Sequence, residues 1–196
     1  MSGSFKKSEE WGALLELLRQ GQKDTTFQPI LWVGAGLSVP AGYPTTDQLI
    51  GLLKENSVKP LPNFVPNDIT FPLESVNRSF TLWVQNFAQT NGYGRLNKAL
   101  SSIFLPLPNE PTSTHLALTN NLWKNIFTTN YDQLLESALD RNEINFNLVT
   151  QEDNYGLEQS DFISLYKIHG GVTNIREWTL DEQSYLNFSD KYPFLD

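Results

Sequence analysis

The run Ile30-Leu31-Trp32-Val33 passes directly into Gly34-Ala35-Gly36, and no other stretch limits the fold as tightly. A short apolar run of this kind suits a parallel strand that can be covered on both faces. The two glycines let the backbone turn and approach a ligand with no Cβ in the way. A helix beginning soon afterwards would aim its free N–H groups and positive end at the same point, which favours an anionic diphosphate. The pattern departs from the G-x-G-x-x-G dinucleotide fingerprint because its sixth position is Val39. A plain glycine turn after a buried strand would read the same way, so downstream motifs must decide.

Apolar spacing predicts the other elements. Ser8 to Gln20 reads as a helix with Trp11, Leu14, Leu15 and Leu18 on one face. Thr45 or Thr46 caps the next helix, with Asp47 in its first turn and Leu49, Ile50, Leu52 and Leu53 as its apolar side. Pro60, Pro62, Pro66 and Pro72 mark a loop. Glu74 to Gln89 and Tyr93 to Leu105 read as helices, so residues 45–105 form a helical insertion within one domain spanning 1–196. A short helix follows at Thr114 to Leu122, with His115 as a packing or capping residue. Asn125 to Thr129 is a strand, and a helix runs on through Asp140. Ile144 to Thr150 is a strand with Phe146, Leu148 and Thr150 on one face, and Phe162 to Ile168 is the last, mostly apolar one. Strands alternating with helices predict a Rossmann-like α/β fold, its mostly parallel sheet carrying helices on both faces.

Charge and composition exclude several functions. The net charge is -8, from 22 acidic against 14 basic residues, which argues against direct nucleic-acid binding. No run of about 18 apolar residues suggests a membrane span, and Met1 to Lys7 lacks the apolar core of a signal peptide, so a cytoplasmic protein is expected. With no cysteine and only His115 and His169, neither a thiolate zinc site nor a histidine-rich metal site is expected.

Three strands end in small or polar residues: Val33 before Gly34-Ala35-Gly36, Phe127 before Thr128-Thr129-Asn130-Tyr131-Asp132, and Ile168 before His169-Gly170. In a doubly wound sheet the carboxyl ends of the strands share one edge, where ligands bind. Parallel strands would bring Gly34, Asn130, Asp132 and His169 to one crevice. Singly, Asn130 and Asp132 read as helix caps and His169 as a strand-end residue bonded to backbone; their shared placement points to a site.

These motifs, with Ala41-Gly42-Tyr43-Pro44 and Lys167-Ile168-His169-Gly170, resemble the sirtuin superfamily, and within it the sirtuin-like NAD hydrolases of bacterial antiphage defence systems. Thr179 to Leu186 also resembles the segment after the His-Gly pair there. The resemblance implies that Gly34, Ala35, Gly36 and Ser38 line the NAD phosphates and ribose. It implies that Asn130, next to Thr129 on the cofactor side, positions the nicotinamide ribose or the attacking water. Asp132 would hold the nicotinamide carboxamide, and His169 would be the general base. A histidine's reference pKa near 6.5 suits that task. The implied partners are NAD as substrate, further copies of the chain, and a defence-system or phage-derived activating protein.

The departures carry information too. Deacetylating sirtuins hold a four-cysteine zinc ribbon, which a chain without cysteine cannot form. They usually read Gln-Asn-Ile-Asp where this chain has Thr129-Asn130-Tyr131-Asp132, and they carry an Asp-Phe-Arg where Thr45-Thr46-Asp47-Gln48 stands nearby. The expected activity is therefore NAD cleavage to nicotinamide and ADP-ribose, as the NAD-depleting effector of abortive infection. Two alternatives are a non-catalytic module that binds NAD or ADP-ribose, and an NAD-dependent deacylase. The resemblance also implies a further glycine-rich strand beyond Asp196 that would complete the fold.

Overall fold

The computed structural model describes residues 12–13, 16, 19–20, 29–56, 73–105, 110–120, 123–150, 162–172 and 178–180, with the backbone alone for 73–79. The apolar face expected of the first helix, the proline loop of residues 60–72 and the segment 181–186 lie outside the described residues. Four strands form one sheet: β1 (Ile30–Val33), β2 (Asn125–Thr128), β3 (Phe146–Val149) and β4 (Ile163–Lys167). Their order is β1-β2-β4-β3 and every pairing is parallel. Helices occupy the described connections, from β1 to β2 and from β2 to β3, so the fold is α/β and Rossmann-like. In register, Val33 lies beside Thr128 and Thr128 beside Lys167. The carboxyl ends of β1, β2 and β4 are therefore level, and the loops that leave them meet.

Between β1 and β2 the described elements are helical. Gly34 opens two short 3₁₀ turns, at Ala35–Leu37 and Val39–Ala41, before α1 (Thr46–Glu55) begins. A regular helix thus starts only at Thr46, with twelve residues between it and Val33 at the end of β1, and not directly at the glycine turn. Pro40 explains part of the delay, since it sits at the start of the second turn, where its missing N–H costs nothing. Thr45 caps α1: its hydroxyl accepts from the Gln48 N–H, and the Gln48 side chain accepts from the Thr45 N–H.

Helices α2 (Leu73–Asn91) and α3 (Tyr93–Phe104) meet at Gly92, whose φ of 88° lies where glycine is favoured. Trp83, Val84, Phe87 and Ala88 face Leu96, Ala99, Leu100 and Phe104 in one core cluster, joined by Leu49 and Leu53 of α1. The spacing is that of two helical stripes turned toward each other. Leu52, expected on the apolar side of α1, is exposed.

Helix α4 (Ser113–Thr119) and helix α5 (Leu134–Arg141) are tied by Asn142, whose Nδ2 donates to Leu116 O at 2.9 Å and Thr119 Oγ1 at 2.8 Å. Leu135 and Leu139 of α5 pack on Ile126, Ile163 and Leu165, with Leu31, Val33 and Phe146 at the margin. All five residues of β4 are buried, as the central position of the strand requires.

Two local expectations fail. Ile30 and Trp32 are each 58% exposed, so β1 is covered on one face, by the cluster that holds Leu31 and Val33. Trp32 stacks across the strands on Phe127 and Phe127 on Tyr166, which shelters one side of each ring. On β3 the regular strand stops at Val149, before Thr150, and Leu148 is exposed while Val149 is buried against Tyr166 and Ile168. The burial of Val149 follows from its pairing with Tyr166 rather than from alternation along β3.

Candidate active site at the strand ends

Gly34 leaves β1 with φ −129° and ψ −172°, an extended conformation open to any residue. The turn therefore does not require glycine for its backbone angles. What remains is space: a Cβ on Gly36 would meet nothing within 4 Å, and one on Gly34 would sit 3.6 Å from Thr129 Oγ1. Ala35 and Gly36 are exposed, whereas Ser38 is buried.

From β2 the chain turns at Asn130, whose N–H donates to Thr128 Oγ1 at 3.0 Å. The Asn130 side chain folds back across the sheet edge. Its Nδ2 donates to Gly34 O at 3.1 Å and to Ser38 Oγ at 2.8 Å. Ser38 Oγ in turn donates to Asp132 Oδ2 at 2.6 Å, and Asp132 Oδ1 accepts from the Leu134 N–H at 3.0 Å. A short run of directed hydrogen bonds thus links the first glycine turn to the start of α5. Every donor in that run is used, yet Asn130 Oδ1, an acceptor, is buried without a partner among the described residues. A buried amide oxygen in that state costs about 1–3 kcal/mol, which a donor from a bound molecule removes.

His169 lies in the turn two residues after β4 and is partly exposed. Its carbonyl accepts from the Thr179 N–H at 3.0 Å. Tyr131 joins it to the rest: the two ring centroids lie 6.4 Å apart, and the Tyr131 hydroxyl donates to Thr179 O at 2.8 Å. Tyr131 also stacks on Trp178 at 4.1 Å. Direct bonds therefore bring together Gly34, Ser38, Asn130 and Asp132, with Thr129 beside Gly34. His169 joins them through Tyr131 and Thr179.

The reading of the sequence gave no role of its own to Lys167 or Glu136. Lys167, 1% exposed, donates from Nζ to the carbonyls of Tyr131 and Asp132 and to Glu136 Oε1 at 2.7 Å. A lysine inside an otherwise apolar strand, two residues before the histidine, was the available signal. Burial pushes the Glu136 carboxyl above the usual carboxylate range, against the pull of Lys167. Tyr43 lies near the same charges: burial first, then Asp132 and Glu136, push its hydroxyl up to about 12.

His115 caps α4 with Thr112, its Nδ1 accepting from the Thr112 N–H at 3.2 Å. Burial lowers its pKa, while Asp132 pulls the other way. Among the described residues no group of three or more His, Asp or Glu is placed to hold a metal ion, and no helix is long and apolar enough to cross a membrane.

Residues 124–195 match the family model described as SIR2-like domain. Over this stretch the chain is similar to SIR2-like domains. The match starts at β2 and takes in Asn130, Asp132, Lys167 and His169; β1 and its glycine turn precede it. The SIR2-like stretch and the glycine turn are joined physically by the Asn130–Gly34 and Asn130–Ser38 bonds. The match supports a sirtuin-like, NAD-related function. No curated protein matches the chain.

Proposed function

We propose that this chain is an NAD glycohydrolase, cleaving NAD to nicotinamide and ADP-ribose. The observation that carries the reading is Asn130. Its amide nitrogen is fixed by Gly34 and Ser38, and its buried Oδ1 is left to accept one hydrogen bond. A ribose hydroxyl or a water molecule is the donor such an oxygen suits. The open space over Gly36 gives a diphosphate room to approach the backbone.

The nicotinamide of NAD is already a cationic leaving group, so its departure needs no acid. As the C1′–N bond breaks, its electron pair passes to the pyridinium ring, and positive charge builds on the ribose. Water held by Asn130 Oδ1 attacks C1′, and His169 takes the proton released. A positioned base of this kind contributes about a hundred- to ten-thousand-fold. Asp132 offers a carboxylate oxygen beside the bound ring, and the absence of cysteine removes the zinc ribbon of deacylating relatives.

The resemblance to antiphage NAD hydrolases supports a role as the NAD-depleting effector of a defence system. In that role the chain works with further copies of itself and an activating protein. The test is nicotinamide and ADP-ribose release from NAD by the full chain, with and without a candidate activator, beside Asn130→Ala and His169→Ala. Release by the parent and loss in both variants is the expected result. NAD bound tightly but left intact under every condition would turn the reading to a binding module. Release only with an acyl-lysine peptide would turn it to a deacylase.

A further inference from the structure

Lys167 and Glu136 lie beside the site, and Lys167 ties the loop after Asn130 to the strand that leads to His169. The Lys167 ammonium has three N–H donors and meets three acceptors: the Tyr131 carbonyl at 3.3 Å, the Asp132 carbonyl, and Glu136 Oε1 at 2.7 Å. The pair is nearly dry, with side-chain exposures of 2% and 12%. Gly171 closes over the lysine: a Cβ there would stand 3.4 Å from Lys167 Cε and 3.5 Å from Nζ. The carbonyls it holds belong to the two peptides that follow Asn130, and the lysine lies two residues before His169. The same two loops are bonded again from Val172 N–H to Tyr131 O at 2.9 Å and through Tyr131, Thr179 and His169.

We infer that Lys167, charge-balanced by Glu136, is the positioning residue that sets the Asn130 loop and His169 in one geometry. A surface loop is normally free to shift by an ångström, and a shift of that size is enough to cost about a hundredfold in rate. An ammonium in a dry setting anchors both loops with charge-assisted bonds that water does not compete for. Glu136 keeps that ammonium charged and in place, because a buried cation with no counter-charge would lose its proton or leave. The consequence for catalysis rests on the NAD-cleavage reading above; the consequence for loop geometry does not.

The test uses the full chain with Lys167→Met and Glu136→Met made together, so that no buried charge is left unpaired. Amide hydrogen exchange of the segments 128–133 and 167–172 is followed without NAD, with α3 as internal reference. The expected result is exchange about tenfold faster in both segments together and unchanged in α3. NAD turnover falls about a hundredfold while NAD affinity stays within about threefold. In a His169→Ala background the methionine pair adds little further loss, since it acts through the geometry already removed. Unchanged exchange in the two segments, or loss fully additive with His169→Ala, overturns the inference. Should the methionine pair fail to fold, Lys167→Arg decides: it keeps the charge, but a guanidinium fork cannot serve three acceptors from one nitrogen. Wild-type exchange and turnover in Lys167→Arg overturn the inference. A parent chain that cleaves no NAD sinks the functional reading alone, and the exchange comparison still decides the positioning.

Discussion

Asn130 and Ser38, separated by 92 positions in sequence, share a buried 2.8 Å hydrogen bond from amide to hydroxyl. The Ser38 hydroxyl in turn donates a hydrogen bond to Asp132. Ser38→Ala removes the middle of this run and leaves one Asp132 oxygen without its donor. The expected cost is about 1–3 kcal/mol in denaturant unfolding. On the proposed reaction, turnover drops as well, because Asn130 keeps only Gly34 O to fix its amide. A variant of parental stability and turnover would show that the run does not order the site.

Gly36→Ala separates folding from binding. A Cβ at Gly36 meets open space, and its φ is not positive, so the free protein should unfold within about 0.5 kcal/mol of the parent. If the diphosphate passes over this turn, the same methyl group lies in its path, and NAD affinity measured by calorimetry falls about tenfold or more. Unaltered affinity would move the phosphates elsewhere.

His115 makes the fold sensitive to mild acid. Its pKa in the folded chain is lowered by burial, below the ordinary value near 6.5. The unfolded chain therefore takes up the proton first. The stability tied to His115 is present above about pH 6.5 and lost as pH falls through the folded value. Glu136 contributes with the opposite sign: its raised carboxyl favours the folded state below the ordinary carboxylate range, and that gain fades as pH rises. In His115→Gln the capping box with Thr112 can be kept. Its urea midpoint should change less between about pH 7.5 and about pH 5.5 than the parent's. Equal pH dependence in the two proteins would count against the buried neutral histidine.

Tyr43 titrates above the ordinary tyrosine value. With its hydroxyl pushed up to about 12 from 10.0, stability linked to it is complete below pH 10 and is lost as pH rises toward 12. Phenolate absorbance should show a late step that Tyr43→Phe removes. A titration with no late step in the parent would place Tyr43 in a wetter setting.

Phe87 is fully buried where α2 and α3 face each other. Phe87→Ala should destabilise the chain by about 3–5 kcal/mol, read from thermal or denaturant unfolding. A loss below about 1 kcal/mol would mean that the helical cluster is not part of the cooperative core.

The elements were legible in the sequence because local chemistry writes them. Thr45, Asp47 and Gln48 mark the start of α1, and the apolar steps of α2 and α3 show which sides face inward. The three strand ends could be named because apolar runs stop at Gly34, Thr128 and His169. The two 3₁₀ turns around Pro40 were not legible, since turns of three residues leave no apolar period to read. Nor was the exposed face of β1, because an apolar run carries no record of which side will be covered.

The sequence by itself determined the element types, the absence of thiolate chemistry and the residues that end each strand, since periodicity, caps and composition are local properties of the chain. Tertiary structure alone decided which of those residues touch. Parallel register set Gly34, Asn130 and Lys167 on one edge, and only then could Asn130 reach Gly34 and Ser38 while Lys167 turned under Tyr131 and Asp132. Contacts across 30 to 100 positions of chain depend on the packing of whole elements, and no local pattern encodes them.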